Sequence, residues 1–380
     1  MNNTSVYKKL QYISKKEGPL SNYAFSLFLF IKRMVDKAIS DQITDLFFLS
    51  REGKFLKRLY DEYVEINDVE QAPKSHYFYV SRKSVINATL KPLDQEKFKS
   101  LSRYRKFSVK EFLSALSFSQ RDMVFIEKQM NEDTNLQLFD FFNSALFEKL
   151  KQNEHFKLVY ERNRVEYRRN FDLYLKKSGY CDAKRIALVD VGWKGTMQNH
   201  LYQARIRNEL QGYYLGYMPE YTLDLDNQKT GLLFNTKSTT HVFAHFCYNY
   251  EYVCVADHGC VCRYDSEGTP ILSHDGDVDL YNATFGNIQE RIEEKFKRIC
   301  ECIRDANISD RKVSRYCTYR HIKMLNDFSK TENEILRNAM EEHSDFVDIK
   351  TKKTLKKSLV EFRRAVYIKA QCLKYSFWFI

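Results

Sequence analysis

Residues 185–198, RIALVDVGWKGTMQ, restrict the possible folds of this chain more than any other segment. The four apolar residues 186–189 predict a buried strand, and Asp190 places a carboxylate directly at its end. Residues 197–202 then have the apolar spacing of an amphipathic helix. The segment therefore predicts a strand, an acid, a turn and a helix in immediate succession, as in an α/β fold.

The turn between that strand and that helix has the composition of an anion-binding loop. Gly192 and Gly195 permit a tight turn, and Thr196 opens the helix, whose N-terminal N–H groups attract negative charge. Lys194 adds a positive charge, whereas Trp193 is interpreted as a packing residue rather than as a lid over a ligand ring. These features predict a phosphorylated sugar or a nucleotide as the ligand.

A second segment repeats this pattern. Residues 45–49 predict another buried strand, and a helix with apolar side chains at helical spacing begins near Phe55. A hydroxyl, a guanidinium and a flexible backbone lie between them, and these groups suit the oxygens of a phosphate. The four residues of this turn are Ser50, Arg51, Glu52 and Gly53.

Two further strands are predicted at residues 76–80 and 212–217. The first runs into Arg82 and Lys83, which puts two more cations at a strand end. One glycine turn after a strand is often purely structural, but three strand ends with Arg or Lys beside Ser, Thr or Gly favour a phosphate-binding site. Ligands of open α/β sheets bind at the carboxyl ends of the strands, where these turns are located.

Composition indicates a packed protein with reduced thiols. The chain has 380 residues, with only 12 glycines and 5 prolines, so it is neither turn-rich nor of low complexity. Its nine cysteines lack paired metal spacing and no secretory signal is evident, so we expect a cytoplasmic location. One group of cysteines and a histidine could be interpreted as a zinc site. Valines alternate with these residues as in β-strands, so we favour cysteines that only contribute to strand packing. The group is Cys254, His258, Cys260 and Cys262.

The formal charge of +11 is concentrated near the C-terminus. Residues 350–374 carry nine lysines and arginines against one acid, Glu361, and their apolar side chains share one helical face. Residues 350–380 therefore predict a basic helix that either docks on an anionic membrane surface or packs on the protein. No apolar stretch reaches the ~20 residues that span a bilayer. No recognition motif indicates nucleic acid as a partner.

These segments together predict an α/β fold with a parallel-sheet core. Residues 1–275 are assigned to one domain, with a charged helical insertion at about 94–180 that caps the site. Residues 230–275 predict an antiparallel hairpin region with a turn at 266–268. Residues 276–380 predict a helical, basic C-terminal region.

The order of the SREG loop, the SRK strand end and the IALVDVGWKGT segment resembles the type I phosphoribosyltransferases. The resemblance implies that Asp190 contacts the ribose hydroxyls of 5-phosphoribosyl pyrophosphate (PRPP). It implies a 5-phosphate loop made of Gly192, Lys194, Gly195 and Thr196. It also implies that pyrophosphate and its Mg²⁺ contact Ser50, Arg51, Glu52 and Gly53, with Arg82 and Lys83 supplying charge to the leaving group. The family's pair of adjacent acids is reduced here to Asp190 followed by Val191.

Residues 49–53, 79–82 and 189–198 also resemble a domain of bacterial surface-polysaccharide clusters, over about residues 43–265. That domain is often fused to, or paired with, a haloacid-dehalogenase-type phosphatase. The resemblance implies transfer of 5-phosphoribose from PRPP to a glycan hydroxyl in O-antigen or capsule biosynthesis. This chain has no Asp-x-Asp-x-Thr signature, so the partner phosphatase would remove the 5-phosphate.

Attack opposite the departing pyrophosphate would give a β-ribofuranoside with inversion. Arg51 would support the leaving group, and Glu251 or Asp257 would accept the proton of the acceptor hydroxyl. A lipid-linked glycan acceptor would give the basic C-terminal region a role at the inner membrane face. Two other classes stay open: a nucleotide-sugar glycosyltransferase or phosphohydrolase with the same loops, and a non-enzymatic module of a polysaccharide complex.

Overall fold

The computed structural model describes residues 3–342 and 366–374 apart from short gaps. The gaps are residues 16, 100, 102–105, 205–206, 208, 220–225, 237–240, 245–246, 274–275, 307, 329 and 373. Most of the predicted basic helix therefore lies outside the described residues, although 366–372 are helical. No helix in the described part of the chain is long and apolar enough to cross a membrane.

The described residues form nine β-strands. They are β1 (Asp45–Leu49), β2 (Lys74–Phe78), β3 (Lys106–Phe107), β4 (Leu138–Phe139), β5 (Ile186–Asp190), β6 (Leu210–Tyr217), β7 (Asn227–Asn235), β8 (Val261–Tyr264) and β9 (Pro270–Leu272). Five of them form one sheet in the order β2-β1-β5-β6-β7, in which all neighbours are parallel. The predicted α/β fold with a parallel sheet is confirmed.

Fourteen α-helices begin and end within the described residues. They are α1 (Asn3–Ile13), α2 (Tyr23–Ser40), α3 (Gly53–Asn67), α4 (Arg82–Ala88), α5 (Val109–Ala115), α6 (Gln120–Met130), α7 (Ala145–Gln152), α8 (Glu154–Lys177), α9 (Thr196–Gln203), α10 (Asn249–Val253), α11 (Gly276–Leu280), α12 (Gly286–Arg304), α13 (Asp310–Asn326) and α14 (Lys330–Glu342). Shorter helical turns lie at Phe141–Asn143, Val242–Ala244 and Tyr281–Phe285.

Helices cover both faces of the parallel sheet. Leu46 and Phe48 of β1 belong to a core that includes side chains of α2, α3 and α12. Phe47 and Leu49 belong to a second core that includes side chains of α4, α8 and α9. All five residues of β1 are buried, as expected for a parallel strand that is covered on both faces.

The strand order places a topological switch point between β1 and β5. The chain passes from β1 to β2 on one side of the sheet, and later from β5 to β6 and β7 on the other. In sheets wound in this way, ligands bind in the crevice beyond the carboxyl ends of the strands at the switch point. The fold therefore directs attention to the ends of β1 and β5, at Leu49 and Asp190.

The predicted insertion at 94–180 contains α5, α6, α7, α8 and the short antiparallel pair of β3 and β4. Apolar side chains of this segment up to Tyr160 form a cluster that includes Phe112 and Phe147 and is separate from the two cores beside the sheet. Farther along α8, Phe171 and Tyr174 belong to the second core beside the sheet. The helices after residue 276 instead share the core of α2 and α3, where Phe296 packs on Phe28 with 6.0 Å between ring centroids. The division of the chain near residue 275 stays a prediction.

The predicted antiparallel hairpin region at 230–275 is confirmed only in its last part. Strand β7 pairs in parallel with β6, and residues 249–253 form α10. Tyr250, Val253 and Cys254 are buried at helical spacing, although alternating valines had suggested a strand. Within the described part of this region, β8 and β9 form an antiparallel hairpin, whose turn lies at residues 265–268 as predicted.

Candidate functional site

The loops that follow β1 and β5 lie side by side at the switch point. Ser50 is fixed at the end of β1, because its N–H donates to the carbonyl of Phe78 (3.0 Å) and its hydroxyl donates to the carbonyl of Val80 (2.7 Å). Each loop contains one cis peptide bond that does not involve proline. These bonds are Ser50–Arg51 and Gly192–Trp193.

Close packing under the second loop explains its two glycines. Gly192 has a φ of +132°, and a Cβ at this position would overlap with the carbonyl oxygen of Gly216 in β6. Gly195 has a φ of +61°, and a Cβ there would crowd the side chain of Lys229. The turn therefore lies flat against β6 and β7, which only glycine permits at these positions.

Two helices begin at this crevice, as predicted. Gly53 is the first residue of α3, and Thr196 is the first residue of α9. The N-terminal N–H groups of a helix lack intrahelical acceptors and carry a partial positive charge, so they favour an anionic ligand. The site thus combines backbone donors from two helices with the carboxyl group that ends β5.

Asp190 is half-buried at the end of β5, and it accepts a hydrogen bond from the N–H of Val191 (2.8 Å). Burial raises the pKa of the Asp190 carboxyl well above its ordinary value. The negative charges of Glu52 and Glu251 raise this pKa further, while the Val191 N–H opposes the change. The Asp190 anion is therefore poorly stabilised until hydroxyl donors or a cation contact it.

Carboxylates from other elements accompany Asp190. Glu52 precedes α3 and lies beside the guanidinium of Arg51, with 3.9 Å from Nη2 to Oε1. Glu251 lies in the first turn of α10. The thiol of Cys254 is buried near this group. Burial raises the pKa of the thiol, and the charges of Glu52 and Asp190 raise it further. Acids from three separate elements are thus close enough to influence the ionisation of one another.

Trp193 connects the loop after β5 to α10. Its indole N–H donates to Oε1 of Glu251 (2.6 Å), and its ring stacks on Phe234 with 5.8 Å between centroids. Tyr248 packs edge-on against the indole at 5.9 Å. The Trp193 side chain is only 8% exposed, which confirms its interpretation as a packing residue.

We expect the substitution Trp193→Phe to lower the free energy of unfolding by about 1.5–3 kcal/mol, because it removes a hydrogen bond to a charged group. The matched control is Glu251→Gln, whose amide oxygen still accepts the indole proton, so its loss should stay below ~1 kcal/mol. Urea unfolding curves with equal slopes measure both losses. A Trp193→Phe protein as stable as wild type would contradict the role of this contact.

The predicted cations come from three different elements of the structure. Arg51 is partly exposed beside Glu52, and Lys194 is exposed in the loop after β5. Strand β2 ends at Phe78, two residues earlier than predicted. Arg82 and Lys83 therefore lie in the first turn of α4 rather than at a strand end.

Sequence reasoning missed a hydrogen-bonded pair next to this crevice. His258 Nδ1 lies 2.8 Å from the carbonyl of Gly259, so it carries the proton, and Nε2 accepts from the hydroxyl of Tyr77 (2.6 Å). Burial lowers the pKa of His258 and favours this neutral ring. Asp257, the second predicted base, instead pairs with Lys54 at 2.5 Å. No sequence signal could reveal a contact that spans 181 positions.

A protein-only metal cage is absent from the described residues. Within them, no group of three or more His, Cys, Asp or Glu side chains is arranged to hold a metal ion. Cys254 is buried in the core, whereas Cys260 and Cys262 are half-buried near the β8–β9 hairpin. The described geometry gives the zinc alternative no support.

No known family model matches this chain, and comparison with curated proteins finds no match. The fold and the site by themselves define the chain as a doubly wound α/β protein with a candidate ligand site at its switch point. Function must therefore be inferred from the chemistry of that site.

Proposed function

We propose that this protein transfers 5-phosphoribose from PRPP to a glycan hydroxyl, with inversion, in O-antigen or capsule biosynthesis. The observation that carries the proposal is the position of Asp190, at the carboxyl end of a central strand and between two loops that open helices. Such a carboxyl suits sugar hydroxyls, and helix N-termini suit phosphates. A phosphorylated sugar carries both kinds of group.

In this proposal the ribose hydroxyls donate to Asp190, which stabilises a carboxylate that its surroundings disfavour. The two loops divide the phosphates between them. The 5-phosphate contacts the loop of Gly192, Lys194, Gly195 and Thr196. The pyrophosphate contacts the loop of Ser50, Arg51, Glu52 and Gly53, with Arg82 and Lys83 supplying positive charge to the leaving group.

The described acids fit the Mg²⁺ that accompanies PRPP. The carboxylate of Glu52 is a hard oxygen ligand, and Mg²⁺ often binds one or two protein carboxylates together with substrate phosphates. This mode needs no complete protein cage. The ion would neutralise charge on the departing pyrophosphate.

The remaining chemistry belongs to side chains of this chain. The bond from the anomeric carbon to pyrophosphate breaks as positive charge develops on the ribose ring, and the acceptor oxygen bonds from the opposite face to give the β-anomer. Arg51 stabilises the leaving group, Glu251 accepts the acceptor's proton, and Asp190 orients the ribose. A partner phosphatase of the haloacid-dehalogenase type would then remove the 5-phosphate. A lipid-linked acceptor would bring the protein to the inner membrane face.

Thermal unfolding with a panel of ligands tests this proposal. A ligand at about one hundred times its dissociation constant adds ~2.7 kcal/mol of stability, which raises Tm by several degrees. We expect PRPP with Mg²⁺ to raise Tm for wild type and for the exposed control Lys184→Ala, but much less for Lys194→Ala. A shift with UDP-glucose alone would instead favour a nucleotide-sugar glycosyltransferase. No shift with any phosphorylated ligand would contradict the proposal and favour a non-enzymatic module.

A further inference from the structure

A cavity of about 190 Å³ lies beside the candidate site and takes no part in the roles assigned so far. It is enclosed by α3, by the segment 255–257 that follows α10, and by the region where α12 begins. Its lining residues are Lys54, Phe55, Lys57, Arg58, Asp61, Val255, Ala256, Asp257, Tyr281 and Gln289. This volume suits one small ligand, such as a single sugar ring, rather than a polymer.

The cavity and the carboxylate group share two walls. Lys54 lines the cavity and follows Gly53, the last residue of the loop after β1. Val255 lines the cavity and follows Cys254, whose thiol lies near Glu52 and Asp190. The cavity is therefore lined by residues that directly follow residues of the candidate site in the chain.

Hydrogen bonds hold the shared wall in place. The amide nitrogen of Gln289, a buried residue of α12, donates to the carbonyls of Val253 (3.0 Å) and Val255 (2.7 Å). Across the opening, Lys54 bonds to Asp257 at 2.5 Å. The cavity is thus a built feature of the fold and not a gap between loose side chains.

The charges of the lining are internally compensated. Each cation has a carboxylate partner within salt-bridge distance: Lys54 has Asp257 (2.5 Å), Lys57 has Asp61 (2.7 Å) and Arg58 has Glu293 (2.6 Å). With three carboxylates beside three cations, the lining has no excess positive charge to attract a phosphate. A neutral ligand with several hydroxyls would find both donors and acceptors at the rim.

The floor of the cavity is apolar. Phe55, Val255 and Ala256 are buried, and the ring of Tyr281 completes the wall. An apolar floor with a few charged groups at the rim is the usual form of a small-molecule site. The C–H face of a sugar ring packs on such a floor while its hydroxyls bond to the rim.

We propose that this cavity binds the neutral sugar ring of the acceptor that receives the transferred group. The identification of that sugar as an acceptor rests on the proposed function. The binding of a neutral sugar does not, because it follows from the lining alone.

Saturation-transfer NMR with methyl glycosides of glucose, galactose, N-acetylglucosamine and rhamnose tests the proposal on the full chain. We expect at least one to bind wild type in the millimolar range. Ala256→Leu, which fills the cavity, and Asp61→Asn, which replaces one carboxylate acceptor at the rim with an amide donor, should each weaken that binding ~10-fold or more. The control Asp172→Asn alters a comparable ion pair on α8, between Asp172 and Arg168 four residues earlier, and should leave glycoside binding unchanged.

The outcomes separate this proposal from the proposed function. Absence of binding by all four glycosides, or unchanged binding in both cavity variants, would overturn the cavity assignment. Preference for glucose 6-phosphate over methyl glucoside that Ala256→Leu abolishes would also overturn it, because the cavity lining would then select an anion. The assignment of PRPP as donor survives any of these results if PRPP still raises Tm. Glycoside binding without a PRPP effect would support the cavity and contradict the donor.

Discussion

The Asp190→Asn protein is expected to lose PRPP binding and to become more stable than wild type. An amide accepts hydroxyl hydrogen bonds more weakly than a carboxylate, so PRPP affinity should fall by about 100-fold. The free energy of unfolding at neutral pH should rise by on the order of 1 kcal/mol, because the variant no longer places a charge among Glu52 and Glu251. Loss of function with a gain in stability is the signature of a side chain retained for binding.

The stability gain should depend on pH in a defined direction. The pKa of Asp190 is raised in the folded protein, so the unfolded chain loses this proton first as pH increases. Ionisation of Asp190 therefore lowers the free energy of unfolding of wild type at pH values above the ordinary carboxyl pKa. This loss of stability disappears when pH falls below that pKa. Urea unfolding of both proteins at neutral and acidic pH would show the gap and its closure.

Asp41→Asn is the control, and we expect it to change the free energy of unfolding in the opposite direction to Asp190→Asn. Burial opposes ionisation of Asp41, but hydrogen bonds from Lys37 and Tyr213 outweigh it and lower the pKa of the carboxyl. Removing this charge should cost about 1–2 kcal/mol at neutral pH, without effect on PRPP binding. If Asp190→Asn destabilised the protein as Asp41→Asn does, the strained environment assigned to Asp190 would be refuted.

The Gly192→Ala substitution should cost at least ~3 kcal/mol of stability, because it combines an unfavourable positive φ with steric overlap. The added methyl group would meet the backbone carbonyl of Gly216, which belongs to β6 and cannot move without disturbing the sheet. Thermal and urea unfolding measure the loss. We also expect PRPP binding to disappear, because the loop carrying Lys194 would be displaced.

The control Gly179→Ala separates the effect of a positive φ from the effect of steric overlap. Gly179 also has a positive φ, of +73°, but a Cβ there would have no atom within 4 Å. Its substitution should cost only ~1 kcal/mol, the contribution of backbone conformation alone. Equal losses for the two alanine variants would show that the close approach of Gly192 to β6 does not matter.

Local patterns predicted the strands and turns that form the base of the site. Strand β5 spans the predicted segment and ends at Asp190, and α3 and α9 begin where the glycine turns end. These predictions succeeded because a buried parallel strand is a short apolar run and its loop must contain residues that turn sharply.

Contacts between distant segments could not be predicted in the same way. Glu251 reaches Trp193 across 58 positions, and its placement depends on α10, a region where alternating valines suggested a strand. Helical packing of Tyr250 against Tyr23, with 5.1 Å between ring centroids, decided that conformation. Tertiary packing overrides local propensity in such short segments.

Phosphorus NMR of PRPP with this protein tests the central claim most directly, because the 5-phosphate and the pyrophosphate give separate resonances. We predict that wild type with Mg²⁺ perturbs both sets of signals. Lys194→Ala should mainly weaken the effect on the 5-phosphate, and Arg51→Ala the effect on the pyrophosphate. Unperturbed PRPP signals with wild type, or equal perturbation by wild type and Asp190→Asn, would contradict a phosphoribosyl site at this switch point.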